Sequence, residues 1–101
     1  MGKLKVTTTK LQDVKIIEPA LFGDKRGFFT ETYSDRDFKD AGINFDIIQD
    51  NQSFSAEAGV LRRLHFQRGK FSQTKLIRVV TGAVLDVIVD VRKGSPTYGQ
   101  H

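Results

Sequence analysis

The chain contains no cysteine. That excludes a disulfide framework, a thiolate metal site and a cysteine nucleophile, and it fits a reducing compartment, so the cytoplasm is the expected location. Histidine occurs only at His65 and the terminal His101, too few for a site built on several imidazoles. The carboxylates are scattered, with neither the EF-hand loop nor the zinc-protease spacing, so no metal site is expected. No apolar run approaches the roughly 20 residues of a membrane helix, and no membrane partner is expected. The opening Met1-Gly2-Lys3-Leu4-Lys5-Val6 is too short and too charged for a signal peptide. Val6 also stands where a myristoylation signal requires Ser or Thr. Acidic residues are missing from the whole stretch Ala58 to Leu85.

What is present describes one small domain. The 101 residues, 39% hydrophobic and 28% charged, have the composition of an ordinary globular chain, and residues 1–101 are expected to form a single domain of thin stability. The net charge of +4 favours anionic partners, either a phosphate-bearing small molecule or a nucleic acid.

The dominant hydrophobic period is two, which reads as strand. In Val84 to Arg92 the apolar set Leu85, Val87, Val89 and Val91 continues from Ala83 on one face, with a mixed face opposite. This predicts a strand with one side in a core. Further strands are expected at Val6–Leu11, Val14–Ile17, Phe28–Tyr33, Phe45–Phe54, Val60–Gln67 and Lys75–Val80, the last turning through Thr81-Gly82 into the next. One short helix fits after Ser34, with Asp37 completing a capping box and Gly42 at its C-terminal end. Short strands at this spacing argue an all-β sandwich or barrel. The final strand is followed only by a turn-rich segment, so the barrel is expected to be incomplete, either a fragment or a chain that borrows strands from a partner.

Chemistry-bearing residues gather in the second half. His65 can be a satisfied strand histidine or a general base, since no other side chain present has an unperturbed pKa near neutrality. Lys75 can be a solvated strand lysine or the stabiliser of an oxyanion formed as that base removes an adjacent C–H proton. Arg62, Arg63, Arg68, Lys70, Lys75 and Arg78 fill the acid-free stretch. They form either a solvated basic face or an anion site for a diphosphate or a nucleic-acid backbone. Phe66 and Phe71 lie among these charges and can pack in a core or stack on single-stranded bases. In the expected strand at 45–54, Phe45, Ile47, Gln49, Asn51 and Ser53 share a face, and the two amides suit a sugar or a base.

The order of several motifs resembles one family. Phe22-Gly23-Asp24-Lys25-Arg26-Gly27-Phe28-Phe29-Thr30-Glu31, Gln49-Asp50-Asn51, Gly59-Val60-Leu61-Arg62, Leu64-His65-Phe66-Gln67 and Gly94-Ser95-Pro96-Thr97-Tyr98-Gly99 together look like the dTDP-4-dehydrorhamnose 3,5-epimerase family, and cover the first half or so of a typical member. The resemblance implies a cupin-like jelly-roll barrel and a homodimer that exchanges N-terminal strands. It implies an isomerase of dTDP-L-rhamnose synthesis that uses no cofactor and inverts the two carbons flanking the ketone of a dTDP-4-dehydro sugar. On that basis His65 is the base, Lys75 steadies the enolate oxygen, and Phe22, Arg26, Glu31, Gln49, Asn51 and Arg62 bind the nucleotide-sugar. No nucleic-acid partner is then expected. Arg63 stands where the family usually has Gly, a residue that often serves a bulge. Strand parity sets Arg63, not Arg62, on the face of His65. The family's proton-donating tyrosine and its histidine-orienting carboxylate lie beyond the residues matched, and neither Tyr33 nor Tyr98 fits the tyrosine. Two other readings remain open: a basic oligonucleotide-binding barrel, and a catalytically silent β fragment held as an oligomer.

Overall fold

Turn chemistry organises the first thirty residues. In the computed structural model, which describes residues 4–44 and 46–101, strands β1 (Lys5–Thr8) and β2 (Lys15–Glu18) pair antiparallel, with Val6 opposite Ile17 and Thr8 opposite Lys15. Between them Asp13 adopts a left-handed φ of 67°, a conformation that Asp tolerates better than most residues. The Thr9 hydroxyl donates to the Val14 carbonyl at 2.8 Å, and the intervening loop carries Leu11, which is buried. Strands β3 (Leu21–Asp24) and β4 (Gly27–Thr30) form a second antiparallel pair, with Phe22 opposite Phe29 and Asp24 opposite Gly27.

Helix α1 (Asp35–Asp40) begins where expected. The Ser34 hydroxyl accepts the Asp37 backbone N–H at 3.2 Å, which satisfies one of the free donors of the first turn. At the other end, the Gly42 N–H donates to the Lys39 carbonyl and the Ile43 N–H to the Phe38 carbonyl. This is the Schellman pattern, and Gly42 supplies its left-handed residue at φ 80°. Phe38 is 2% exposed and its ring lies 4.7 Å from that of Tyr33.

The chain forms two compact units, one of Met1–Asn44 with Ala83–His101 and the other of Phe45–Gly82. In the first, residues 90–100 fold back on themselves. The Asp90 N–H donates to the Gln100 carbonyl and the Gly99 N–H to the Asp90 carbonyl. The Asp90 side chain is buried and accepts from the Arg92 backbone and guanidinium and from the hydroxyls of Ser95 and Thr97. Arg92 also reaches Asp13 at 2.9 Å and the Gln12 carbonyl at 2.8 Å. The Arg92 guanidinium thus ties the 92–100 turn to the loop between β1 and β2.

In the second unit the 3₁₀ turn Gly69–Phe71 is the one regular element among the described residues, and all residues described for burial there are exposed. The strands expected at 45–54, 60–67, 75–80 and 84–92 are not formed among the described residues; Phe45 itself lies outside them. The alternation they carry is real, but a strand also needs a neighbouring backbone to take its N–H and C=O groups. Among the described residues no strand is paired with them, and the Asp90 backbone bonds instead to the turn that follows it. The apolar face of 83–91 is accordingly open, with Leu85 91% exposed, and Thr81-Gly82 form a bend in place of a hairpin turn. Regular structure is therefore mostly antiparallel strand with one short helix, in two small sheets and no closed barrel among the described residues. No helix there is long and apolar enough to cross a membrane.

Candidate functional site

The β3–β4 hairpin positions the first group of expected site residues. Its loop is Lys25-Arg26, closed by the Asp24–Gly27 pair. Two-residue hairpin loops favour turns with positive φ at the first or both central positions. Neither Lys25 nor Arg26 has one, and Gly27 takes φ 137° instead. Asp24 stabilises this turn from inside: its Oδ1 accepts the Arg26 backbone N–H at 2.8 Å, an Asx-turn. Its Oδ2 accepts from Arg26 Nε at 3.1 Å and Nη2 at 2.7 Å. Phe22, Asp24, Arg26, Gly27, Phe28 and Phe29 line an open hollow of about 320 Å³. Phe22 and Arg26 are thus brought to one hollow. Glu31 follows β4 directly, half-buried and outside that hollow.

The second group lies in the second unit. Gln49, Asn51, Arg62, His65 and Lys75 are all exposed on backbone without a ladder. Arg62 Nη2 approaches Ser55 Oγ at 3.5 Å, and no hydrogen bond or ion pair joins His65 to Lys75 among the described residues. His65 Nδ1 lies 2.9 Å from the Arg63 carbonyl oxygen. A carbonyl only accepts, so Nδ1 carries the hydrogen, and in the neutral ring Nε2 is left as the basic nitrogen. Arg63 itself does not have positive φ; its backbone conformation is one any residue adopts, and the glycine-dependent bulge is not formed here. Arg68 stands over the Phe66 ring at 5.4 Å, so one face of that aromatic is already covered. The Phe71 side chain lies outside the described residues.

Two participants escaped the sequence reading. Asp24 grips Arg26, and the signal was present: Asp at the first position and Gly at the fourth of Asp24-Lys25-Arg26-Gly27 is the composition of a type I turn. The Arg63 carbonyl that sets the His65 tautomer had no signal, because every residue carries one. Among the described residues no three His, Asp or Glu side chains gather as a metal site.

Comparison with known proteins is consistent along the chain. The family model for dTDP-4-dehydrorhamnose 3,5-epimerase matches residues 8–101. The curated enzyme of that name from Shigella flexneri is 48% identical over 98 residues, covering 96% of this chain and 54% of the relative. Its counterpart from Salmonella typhimurium is 51% identical over 96 residues, covering 94% and 52%. A crystal structure of the Bacillus anthracis enzyme with TDP and PPi bound is 54% identical and superposes with a TM-score of 0.91 over 96% of this chain and 55% of that one. The chain spans about half the length of the relatives it matches.

Proposed function

The chain belongs to the dTDP-4-dehydrorhamnose 3,5-epimerase family, and from that premise we propose that it is the N-terminal part of a cupin-like jelly roll that epimerises a dTDP-4-dehydro-6-deoxy sugar at the two carbons beside its ketone. The observation that carries this reading is the likeness, across 96% of the chain, to an enzyme holding TDP.

The proposed chemistry uses elementary carbonyl reactivity. A C–H proton next to a ketone is acidic because its electron pair moves onto the oxygen. His65, with Nδ1–H directed at the Arg63 carbonyl, presents Nε2 to take that proton. The Lys75 ammonium stabilises the enolate oxygen. A proton given from the opposite face, by the tyrosine that the family resemblance sets beyond the residues matched, inverts the carbon as the electron pair returns from oxygen; these steps need neither oxidant nor cofactor. Phe22, Arg26, Glu31, Gln49, Asn51 and Arg62 are the proposed nucleotide-sugar contacts. The open apolar face of 83–91 supports a homodimer or larger assembly, since such a surface recruits another chain. A cytoplasmic location accords with the absence of cysteine.

NMR of the sugar ring protons in D2O tests the reaction. Deuterium uptake beside the ketone that disappears in His65→Asn supports the base role; uptake unchanged by that substitution removes it. Light scattering that shows a folded monomer at low concentration removes the assembly.

A further inference from the structure

We propose that Asp24 is a positioning residue for anion recognition, holding one edge of the Arg26 guanidinium so that the other edge is presented to a diphosphate at the hairpin hollow. The inference rests on the nucleotide-sugar reading of that hairpin and adds to it a residue whose own charge is the wrong sign for a phosphate contact.

Geometry supplies the argument. A guanidinium has five N–H donors in a rigid fork. The Nε and Nη2 donors on one edge converge on a single oxygen, Asp24 Oδ2. The Nη1 end has no hydrogen bond to the described protein, so the Nη1/Nη2 edge remains open for the two-point contact that arginine makes with phosphate. Asp24 is itself held, because Oδ1 is committed to the Arg26 N–H across the turn. One carboxylate therefore fixes both the backbone of residue 26 and the plane of its side chain. Arg26 is otherwise unsupported, with its side chain 90% exposed. The pairing also favours the charged forms: the Arg26 hydrogen bonds hold the Asp24 carboxyl below its ordinary range, and Asp24 raises Arg26. An exposed ion pair contributes little to stability, so its consequence should be read in binding.

Two effects oppose each other when the carboxylate is neutralised. Losing the grip frees a long side chain that must then be ordered by the ligand, an effect of about threefold to tenfold in affinity. Losing the negative charge strengthens the local field for any anion, by a comparable amount at low salt. A double-mutant cycle separates them, because the field acts whether or not Arg26 is present and the grip acts only through it. Titration calorimetry with TDP, with thymidine as the uncharged control, is measured for the chain, Asp24→Asn, Arg26→Ala and the double variant. Asn retains the side-chain carbonyl that accepts the turn N–H.

The expected result is that Arg26→Ala weakens TDP at least threefold more when Asp24 is present than when it is Asn, with thymidine unaffected throughout. Equal losses in the two backgrounds overturn the positioning role and leave the nucleotide-sugar reading standing. No loss on removing Arg26 in either background, or no TDP binding by the unsubstituted chain, overturns both. If amide spectra show that Asp24→Asn has opened the hairpin, Asp24→Ser, which can still accept the turn N–H, replaces it. A hairpin opened by both variants makes Asp24 a turn residue and nothing more.

Discussion

The two units of this chain solve the backbone problem differently. The first satisfies its N–H and C=O groups with two antiparallel pairs, a capped helix and a polar turn around Asp90. It also holds Leu11, Phe38 and Asp90, the buried residues among those described. The second carries the alternating segments 60–67 and 75–80 but, among the described residues, only a 3₁₀ turn, and its Leu61 is 86% exposed. Alternation states which face wants burial. It does not provide the neighbour that buries it, and without ladder or cover a strand-like sequence remains merely extended. Stability is therefore concentrated in the first unit, while the proposed acid–base chemistry sits in the second.

Substitutions can break that division. The largest effect is expected from His65→Asn: proton exchange beside the ketone falls by about 10²- to 10⁴-fold, the ordinary contribution of a general base, while the melting curve by circular dichroism does not move. A lower melting temperature would make His65 structural and blur the division.

Next is Phe38→Ala, which empties the buried side of α1 and should cost about 3 kcal/mol or more in urea unfolding. Leu61→Ala, at an exposed site, should stay within about 0.5 kcal/mol. Equal costs would mean that unit 2 is packed in solution.

Asp90→Asn weakens the turn and sharpens the comparison through pH. Arg92, then the Ser95 and Thr97 hydroxyls, hold the Asp90 carboxyl well below the ordinary aspartate range. A folded pKa below the unfolded value of about 3.8 gives stability that is fully present above that pH and is lost as pH falls through the folded value. Acid titration followed by circular dichroism should show this loss below about pH 4, and Asp90→Asn should be less stable at neutrality but lose less on acidification. Parallel acid curves for the two proteins would take Asp90 out of the acid response.

The smallest effect expected is Ser34→Ala, about 1 kcal/mol for one N-cap, measured by the same unfolding and confined in hydrogen exchange to the first turn of α1.

Local features were legible to the degree that their partners are close in sequence. The Ser34 cap and the Gly42 terminus rest on interactions within a few residues, and the β1–β2 pairs on partners 7 to 13 residues apart across one short loop; each formed close to its expected limits. At 60–67, 75–80 and 84–92 periodicity predicted more than the described residues build, and the hairpin expected through Thr81-Gly82 is a bend instead. The site divides the same way. Phe22 and Arg26 share a hairpin and line one hollow, whereas His65 and Lys75 lie ten residues apart on either side of the Gly69–Phe71 turn with no ladder joining them among the described residues.

Composition and motif order by themselves determined the family, the absence of thiol chemistry and the identity of the candidate base, because these depend on which side chains exist and in what sequence. The tertiary structure alone decided which atoms they meet. It committed the Asp24 carboxylate to Arg26, set the His65 tautomer through a backbone carbonyl and turned Gly94–Gly99 into a cradle for Asp90. The physical reason is that a hydrogen bond is selected by distance and direction, to within a few tenths of an ångström, and neither quantity is written in the order of residues.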